Sequence, residues 1–480
     1  MIDSSFGSRI ESLERFFETF IEKEKLPGVS VCVNQSGKVV WKRAFGARDD
    51  KGARLETDTI FGIASMSKGV TCAALSILEA EGKFSFYDRA DKYLPKLAIP
   101  GVPRESLLVW HLATHSSGLP PLPLLAWSLA FHTPDGADDH EKLEKRRQAA
   151  ASHVDTIDDI IYYINNAEYP LLAQPGLISS YSNDSFALLS YIVDAAAGMP
   201  LEEFLKKRVF EPLGMESTVL DIDASEARKL GTLTELFNKN KDGGGFNSDD
   251  YWDVAPPYRG AGWIKSTPTD MARFYEALCN GGVFRGKTVF PLAEILYGSR
   301  FPETPYDGVF GYGLEKRPFN HDGASHRIVE HAGGLHGVAT KGGFIKGSDG
   351  VSACVFCNWE SAWVSPLLNA VYNTMLGLPA ETSHFYWRTQ DDSPAEASIY
   401  VGKYHQEELF SDDIIIELRP EGLVTMDDGK PVPLKHCGTT RFVALEKDFP
   451  IDRCDRYQFI LDDRGAAQRL RVGSRVYTRI

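Results

Sequence analysis

The sequence predicts an α+β chain in two parts: a larger domain of helices and antiparallel strands over residues 1–390, then an antiparallel sheet or small β-barrel over residues 395–480. Three observations carry this reading. Apolar residues recur at helical spacing directly after Ser65 and again in FALLSYIVDAAAG. VSVCVNQSGKVVWKRAFG and RIVEHAGGLHGVATKGGFIK each read as two strands around a glycine-bearing turn. Beyond Glu381 the texture changes to short alternating runs, among them IIIELRPEGLVTM, RYQFIL and QRLRVGSRVYTRI, separated by Gly, Pro and Asp.

Taken in order, MIDSSFGSRIESLERFFETFIEKEK is an amphipathic helix; it lacks the basic start and apolar run of a signal peptide. The hairpin that follows turns at Ser36-Gly37. A buried helix is expected to begin near Ser65. Leu119 to His153 is apolar and aromatic first and strongly charged afterwards; it reads equally as a lid over a cleft or as a surface helical insertion. TIDDIIYYINN is an amphipathic helix with Thr156 as its cap. Strands are expected near 338–358, then a closing helix in SPLLNAVYNTMLG. Asp391-Asp392-Ser393-Pro394 reads as a linker between two cores, so a chain ending near Gln390 is expected to fold alone. Nothing in the barrel suggests chemistry, which leaves the site to the first domain.

Three segments bear reactive groups. Ser65-Met66-Ser67-Lys68 is the only Ser-x-x-Lys of the chain, and three residues on a helix put Ser65 and Lys68 on one face. A helix N-terminus favours a developing alkoxide at Ser65, and enclosure would lower the lysine's pKa so that it could accept the hydroxyl's proton. Tyr181-Ser182-Asn183 follows Pro175-Gly176 just before a helix, where a loop can present a phenol and an amide to a cleft. Tyr163-Ile164-Asn165 has the same spacing but lies inside the amphipathic helix, where packing and a helix end account for it. In His331-Ala332-Gly333, glycines 333, 334 and 337 would let a substrate backbone approach a strand edge closely.

Composition sets limits. The 480 residues carry a net charge of −14 without a notable basic cluster, which argues against a nucleic-acid partner. No apolar run is long enough for a membrane span, and seven scattered cysteines suit a reducing compartment, so a cytoplasmic location is expected. Gly281 to Thr288 matches the phosphate-loop pattern letter for letter, but it follows a helix and precedes Pro291, so it reads as a helix exit. Cys354 and Cys357 should face opposite sides of a buried strand. His111 and His115 have zinc-ligand spacing without the glutamate that accompanies it, and no metal is expected.

The three segments, with Pro27-Gly28-Val29-Ser30-Val31, HLATHSSGL from His111, Glu211-Pro212-Leu213-Gly214-Met215 and GWIKSTPTDMA from Gly262, stand in family order over roughly residues 10–380. On them the chain resembles the serine beta-lactamase-related hydrolases of peptidase family S12, which include class C beta-lactamases, D-aminopeptidases, carboxylesterases and penicillin-binding relatives. The resemblance implies a beta-lactamase/transpeptidase-like domain, with five antiparallel strands between helical layers and a helical subdomain; the C-terminal part is similar to an appended lipocalin-like domain. It implies an acyl-enzyme on Ser65, with Lys68 and Tyr181 sharing the proton work and Asn183 orienting a substrate amide. His331 would pair with Tyr181 or polarise the substrate. The backbone N–H groups of Ser65 and Gly334, beside Gly333, would form the oxyanion hole. No cofactor is required, and the partner is a small-molecule or short-peptide substrate. His331 stands where lactamases usually carry lysine, which tilts the expectation to a D-selective aminopeptidase or amidase, with an esterase or a weak lactamase as alternatives. A non-enzymatic binding or sensor protein is a distant third, because it has no need of all four of Ser65, Lys68, Tyr181 and Asn183.

Overall fold

Alternation along the strands divides the first domain into layers. In β1 (Gly28–Gln35), Val29, Val31 and Val33 enter one core and Cys32 the other. β1 turns into β2 (Lys38–Gly46) through Ser36 and Gly37, both at positive φ as a tight hairpin requires. The computed structural model describes residues 4–480 except 134–143, 145–146, 149, 151–152, 241–243, 299–308, 322–323, 349, 361, 385–388, 391–395, 409–412, 428 and 447–453.

Five further strands complete the sheet: β3 (Val309–Phe310), β4 (Glu315–His321), β5 (Ala324–Leu335), β6 (Val338–Lys346) and β7 (Ser352–Cys357). Their order is β3-β4-β5-β6-β7-β1-β2, with every neighbour antiparallel. The expected five strands are therefore joined by two more at one edge. EKRPFNH carries Pro318 and three successive charged residues, so it gives no strand signal by itself; Pro is tolerated near a sheet edge. Cys354 and Phe356 of β7 face the larger core while Val355 and Cys357 face the other, as the period of two requires.

Helix α1 (Ser4–Glu24) and helix α7 (Ser365–Met375) cover one face of the sheet, with Leu13, Phe17, Leu367 and Val371 in that core. The other face packs on α2 (Ser67–Ala80) and α6 (Pro268–Cys279). Between these two helices in sequence lie α3 (Leu124–His132), α4 (Ile157–Asn166) and α5 (Asn183–Ala197). The apolar half of the Leu119–His153 stretch is α3, whose Leu124, Leu125, Ala126 and Trp127 are buried; most of the charged half lies outside the described residues. The phosphate-loop lookalike is a short hairpin after α6, Val283–Phe284 against Lys287–Thr288, turning at Arg285 and Gly286.

The C-terminal part is a closed eight-stranded antiparallel barrel: β8 (Gly402–His405), β9 (Ile414–Arg419), β10 (Gly422–Asp427), β11 (Lys430–His436), β12 (Arg441–Ala444), β13 (Arg456–Leu461), β14 (Ala467–Val472) and β15 (Arg475–Arg479). It has its own core, including Tyr404, Ile416, Phe442, Phe459 and Leu470. The expected linker, residues 391–394, lies outside the described residues. All seven cysteines are free thiols. Among the described residues no helix is long and apolar enough to cross a membrane.

Candidate active site

A strained turn sets Ser65 in place. The two-residue strand Phe61–Gly62 pairs with Ile264–Ser266, and the chain then passes through Ala64 at φ +45° into a 3₁₀ turn, Ala64–Met66, that leads into α2. The helix thus starts where the apolar spacing placed it, with Ser65 in the turn that opens it. N–H groups of a first turn have no intrahelical acceptor, so the Ser65 N–H is available to a ligand.

Lys68 lies wholly inside the protein. Its Nζ donates to Ser65 Oγ at 3.0 Å and to the Ala261 carbonyl at 2.8 Å. Burial first, then the nearby Arg475 guanidinium, hold the amine well below the usual 10.5.

Tyr181 is 7% exposed, and its hydroxyl faces the Ser65 hydroxyl. Desolvation raises the phenol above its ordinary value, so it stays protonated. The ring centre lies 4.9 Å from Lys68 Nζ. Ser182 caps α5 by accepting from the Ser185 N–H at 3.1 Å, which fixes Asn183 as the first helical residue.

His331 sits on β5 with its Nδ1 2.5 Å from the Ala332 carbonyl. A carbonyl only accepts, so Nδ1 carries the hydrogen and Nε2, buried without a hydrogen-bond partner, is left as an acceptor. Burial pushes its pKa down to about 3, so the ring is neutral. Its centroid is 6.2 Å from that of Tyr181.

β4 pairs with β5 only from His321↔Ala324 to Glu315↔Glu330, so residues 331–335 present an unpaired edge on that side. A Cβ on Gly333 would come within 2.3 Å of the Ile63 carbonyl and 2.5 Å of Thr340 Oγ1; glycine here lets β5 close on the Ser65 turn. Gly334 meets nothing within 4 Å and opens to the cleft. Gly337, at φ +66°, makes the turn into β6 against Leu236.

The expected site residues therefore converge. Ser65, Tyr181, Asn183, His331, Gly333 and Gly334 all line one cleft of about 460 Å³, with Lys68 beneath Ser65. Leu125 and Leu129 of α3 line it too, so the apolar half of the insertion is cleft wall. The competing tyrosine does not join them. Tyr163 packs edge-on against Trp127, and Asn165 bridges to Lys96 and Ala98.

Two contributions escaped the sequence reading. His115, set aside with His111 as zinc-like spacing, stacks on Tyr181 at 4.4 Å and 28° and accepts from the Ser182 N–H at 3.0 Å. Desolvation keeps its pKa well below 6.5, so the imidazole is neutral and its Nδ1 can accept. His111 does something else, accepting from the Leu108 N–H at 3.0 Å. The signal for His115 lay in HLATHSSGL, a segment matched as pattern and not read as chemistry. His115→Phe should keep the stacking but orphan the Ser182 N–H, destabilising the fold by about 1–3 kcal/mol. Urea unfolding of the two proteins measures this, and an unchanged midpoint would show that the Ser182 N–H finds another acceptor.

The second comes from the barrel, whose residues by themselves suggest no chemistry. Ser474 and Arg475, at the β14–β15 turn, line the cleft, and Glu408 accepts from Asn183 Nδ2 at 2.8 Å. These partners lie more than two hundred residues from the segments they touch, and no local pattern marks them.

Comparison with known proteins bears on the family and the fold. The profile of a family described as Beta-lactamase matches residues 13–365. Penicillin-binding protein 4* of Bacillus subtilis is 25% identical over 340 residues, 68% of this chain and 67% of that protein. The crystal structure of SurE superposes with a TM-score of 0.72 at 18% identity, covering 99% of this chain and 100% of SurE. A D-stereospecific amidohydrolase from Streptomyces superposes with a TM-score of 0.56 at 20% identity over 73% of this chain and 94% of its own.

Proposed function

The chain belongs to the beta-lactamase family, and from that premise we propose that it is a serine hydrolase acting through a Ser65 acyl-enzyme on amides and short peptides of D-amino acids bearing a free amine. Ser65 Oγ attacks the carbonyl and Lys68, whose burial favours the neutral amine, takes the proton. The N–H groups of Ser65 and Gly334 receive the oxyanion; one such donor is worth about 3–4 kcal/mol. Tyr181, kept as a phenol, passes its proton to the leaving amine and recovers one from the protonated Lys68, which returns both groups to their starting states. Asn183 and the acceptor Nε2 of His331 orient the substrate's amide. Water then attacks the ester carbonyl, giving a proton to Lys68, which passes it to Ser65 Oγ as the acid product leaves.

The observation that carries the choice of substrate is the charge of the cleft. Glu360 and Glu315 line it, burial raising the Glu315 carboxyl above its ordinary value, His331 is neutral, and the guanidinium of Arg475 is engaged by Glu408 through its Nε. Arg475 is the one Lys or Arg among the described lining residues and Glu408 offsets its charge, so a substrate carboxylate, which beta-lactams and D-alanine carboxypeptidase substrates both present, finds no excess of positive charge there. An ammonium meets the opposite sign. The structural likeness to an enzyme titled a D-stereospecific amidohydrolase supports the configuration.

Kinetics on D-alanine p-nitroanilide, its L-enantiomer, its N-acetyl derivative, a chromogenic cephalosporin and a short-chain nitrophenyl ester test this. The free D-anilide should exceed the N-acetyl compound by about 10- to 100-fold in kcat/KM, the worth of a hydrogen bond to a charged group. Fast cephalosporin turnover with no anilide cleavage would establish a lactamase instead. Hydrolysis confined to the ester, without D/L preference, would establish an esterase.

A further inference from the structure

The barrel meets the site through one hairpin. Where β14 gives way to β15, the Ser474 carbonyl accepts from the Tyr181 N–H at 2.9 Å, and the Val476 N–H donates to Ser180 Oγ at 3.1 Å. The Arg475 guanidinium carbon lies 5.0 Å from the centre of the Tyr181 ring, within cation–π range, and its Nε donates to Glu408. Glu408, 2% exposed, uses its other oxygen to accept from Asn183 Nδ2 at 2.8 Å. A carboxylate only accepts, so Glu408 decides which end of the Asn183 amide turns to it and directs Oδ1 elsewhere.

We propose that Arg475 and Glu408 are positioning residues: they hold the Tyr181 phenol and the Asn183 amide in working geometry, so that the barrel completes the active site of the domain before it. The inference rests on Ser65 being the nucleophile. A buried ion pair is weak evidence for stability, since apolar residues of similar volume often do as well. Here each member of the pair touches a different residue of the Tyr181-Ser182-Asn183 segment, which gives the pair a task besides stability. Ionisable groups act on Lys68 from several elements: Arg475 and Glu408 of the barrel and Asp184 of α5 act on its amine, and Lys68 in turn depresses His115 and His331. Arg475 is the cation among them that favours the neutral amine, and it opposes protonation of Tyr181 in the same way.

The alternative is that Arg475 anchors a carboxylate of the substrate. The two separate on an uncharged probe too small to carry such a group, p-nitrophenyl acetate. Positioning predicts that Arg475→Gln and Glu408→Gln each lower kcat on this ester by about 10- to 100-fold with KM little changed, a displaced group of this kind costing up to about 10²-fold. Arg475→Lys should recover part of the loss. With the guanidinium gone Lys68 keeps its proton to higher pH, so the acid limb of kcat/KM for Arg475→Gln should move upward. The double variant Arg475→Met/Glu408→Met removes both charges without stranding one, and circular dichroism shows whether it is folded; it too should lose kcat. Wild-type kcat in the folded double variant, or a loss confined to KM for substrates with a carboxylate, overturns the proposal. Labelling of wild type but not Ser65→Ala by a fluorophosphonate tests the nucleophile separately, so the two failures are distinguishable.

Discussion

Ser65→Ala is expected to lower turnover of an activated ester by about 10⁵- to 10⁶-fold, to the level that binding and the oxyanion donors alone sustain. The effect is so large because the residues act as a unit. Lys68 Nζ is 3.0 Å from Ser65 Oγ, and the Tyr181 hydroxyl faces the same oxygen. With the hydroxyl gone there is no acyl-enzyme, so intact-mass analysis after fluorophosphonate treatment should show an adduct on wild type and none on the variant. Tyr163→Phe, in the α4 segment of identical spacing, should leave the rate unchanged. Retention of near wild-type hydrolysis by Ser65→Ala would sink the assignment whatever else the cleft contains.

Lys68→Met should lose about 10²- to 10⁴-fold in kcat/KM, the usual worth of a general base, and at the same time become more stable at pH 7. The sign follows from linkage. Burial lowers the Lys68 pKa in the folded chain from about 10.5, so in the window between the lowered value and 10.5 the unfolded chain binds the extra proton and stability rises with pH. The penalty is full below the folded pKa and gone above the unfolded one. Removing an uncompensated buried amine returns about 1–4 kcal/mol. Orphaning the Ala261 carbonyl, which accepts from Nζ at 2.8 Å, takes back about 1–3 kcal/mol. A net gain of about 1 kcal/mol at pH 7, shrinking toward pH 10.5, should appear in urea unfolding at the two pH values. A variant less stable than wild type at pH 7 would mean that Lys68 is charged and paired in the fold, and would remove it from the role of base.

Such a residue trades stability for chemistry, and the same tension explains which parts of the molecule were legible. Ser65 and Lys68 could be read because their relation is local: three residues on a helix share a face whatever the remainder of the chain does. The choice of Tyr181 over Tyr163 was local too, since Thr156 caps a helix with a clear apolar stripe and Tyr163 falls within it. Glycines 333 and 337 marked a strand edge and its turn, and both are there because a Cβ would strike Ile63 or Leu236. The alternation in VSACVFC correctly placed Cys354 and Cys357 in separate cores.

What escaped was non-local or patternless. β4 is a strand because β5 supplies its ladder, not because EKRPFNH prefers to be one. The extent of the helical half of 119–153 in the cleft could not be read either, since the stretch suited a lid or a surface insertion equally until its neighbours were known; Leu125 and Leu129 line the cleft wall.

By itself the sequence determined the α+β class, most of the element order and the Ser65–Lys68 and Tyr181–Asn183 pairs, because periodicity, capping and motif spacing are interactions within a few residues; the lactamase-like topology and the roles of the residues came from the resemblance. The tertiary structure alone decided their electrostatics and their completion. Whether Lys68 is neutral depends on burial by distant segments, whether His331 donates or accepts depends on one carbonyl, and whether Tyr181 and Asn183 are held depends on Arg475 and Glu408 from a barrel whose strands begin at Gly402. Charge and orientation at a site are set by everything within a few ångströms, and on a chain of 480 residues most of that lies far away in sequence.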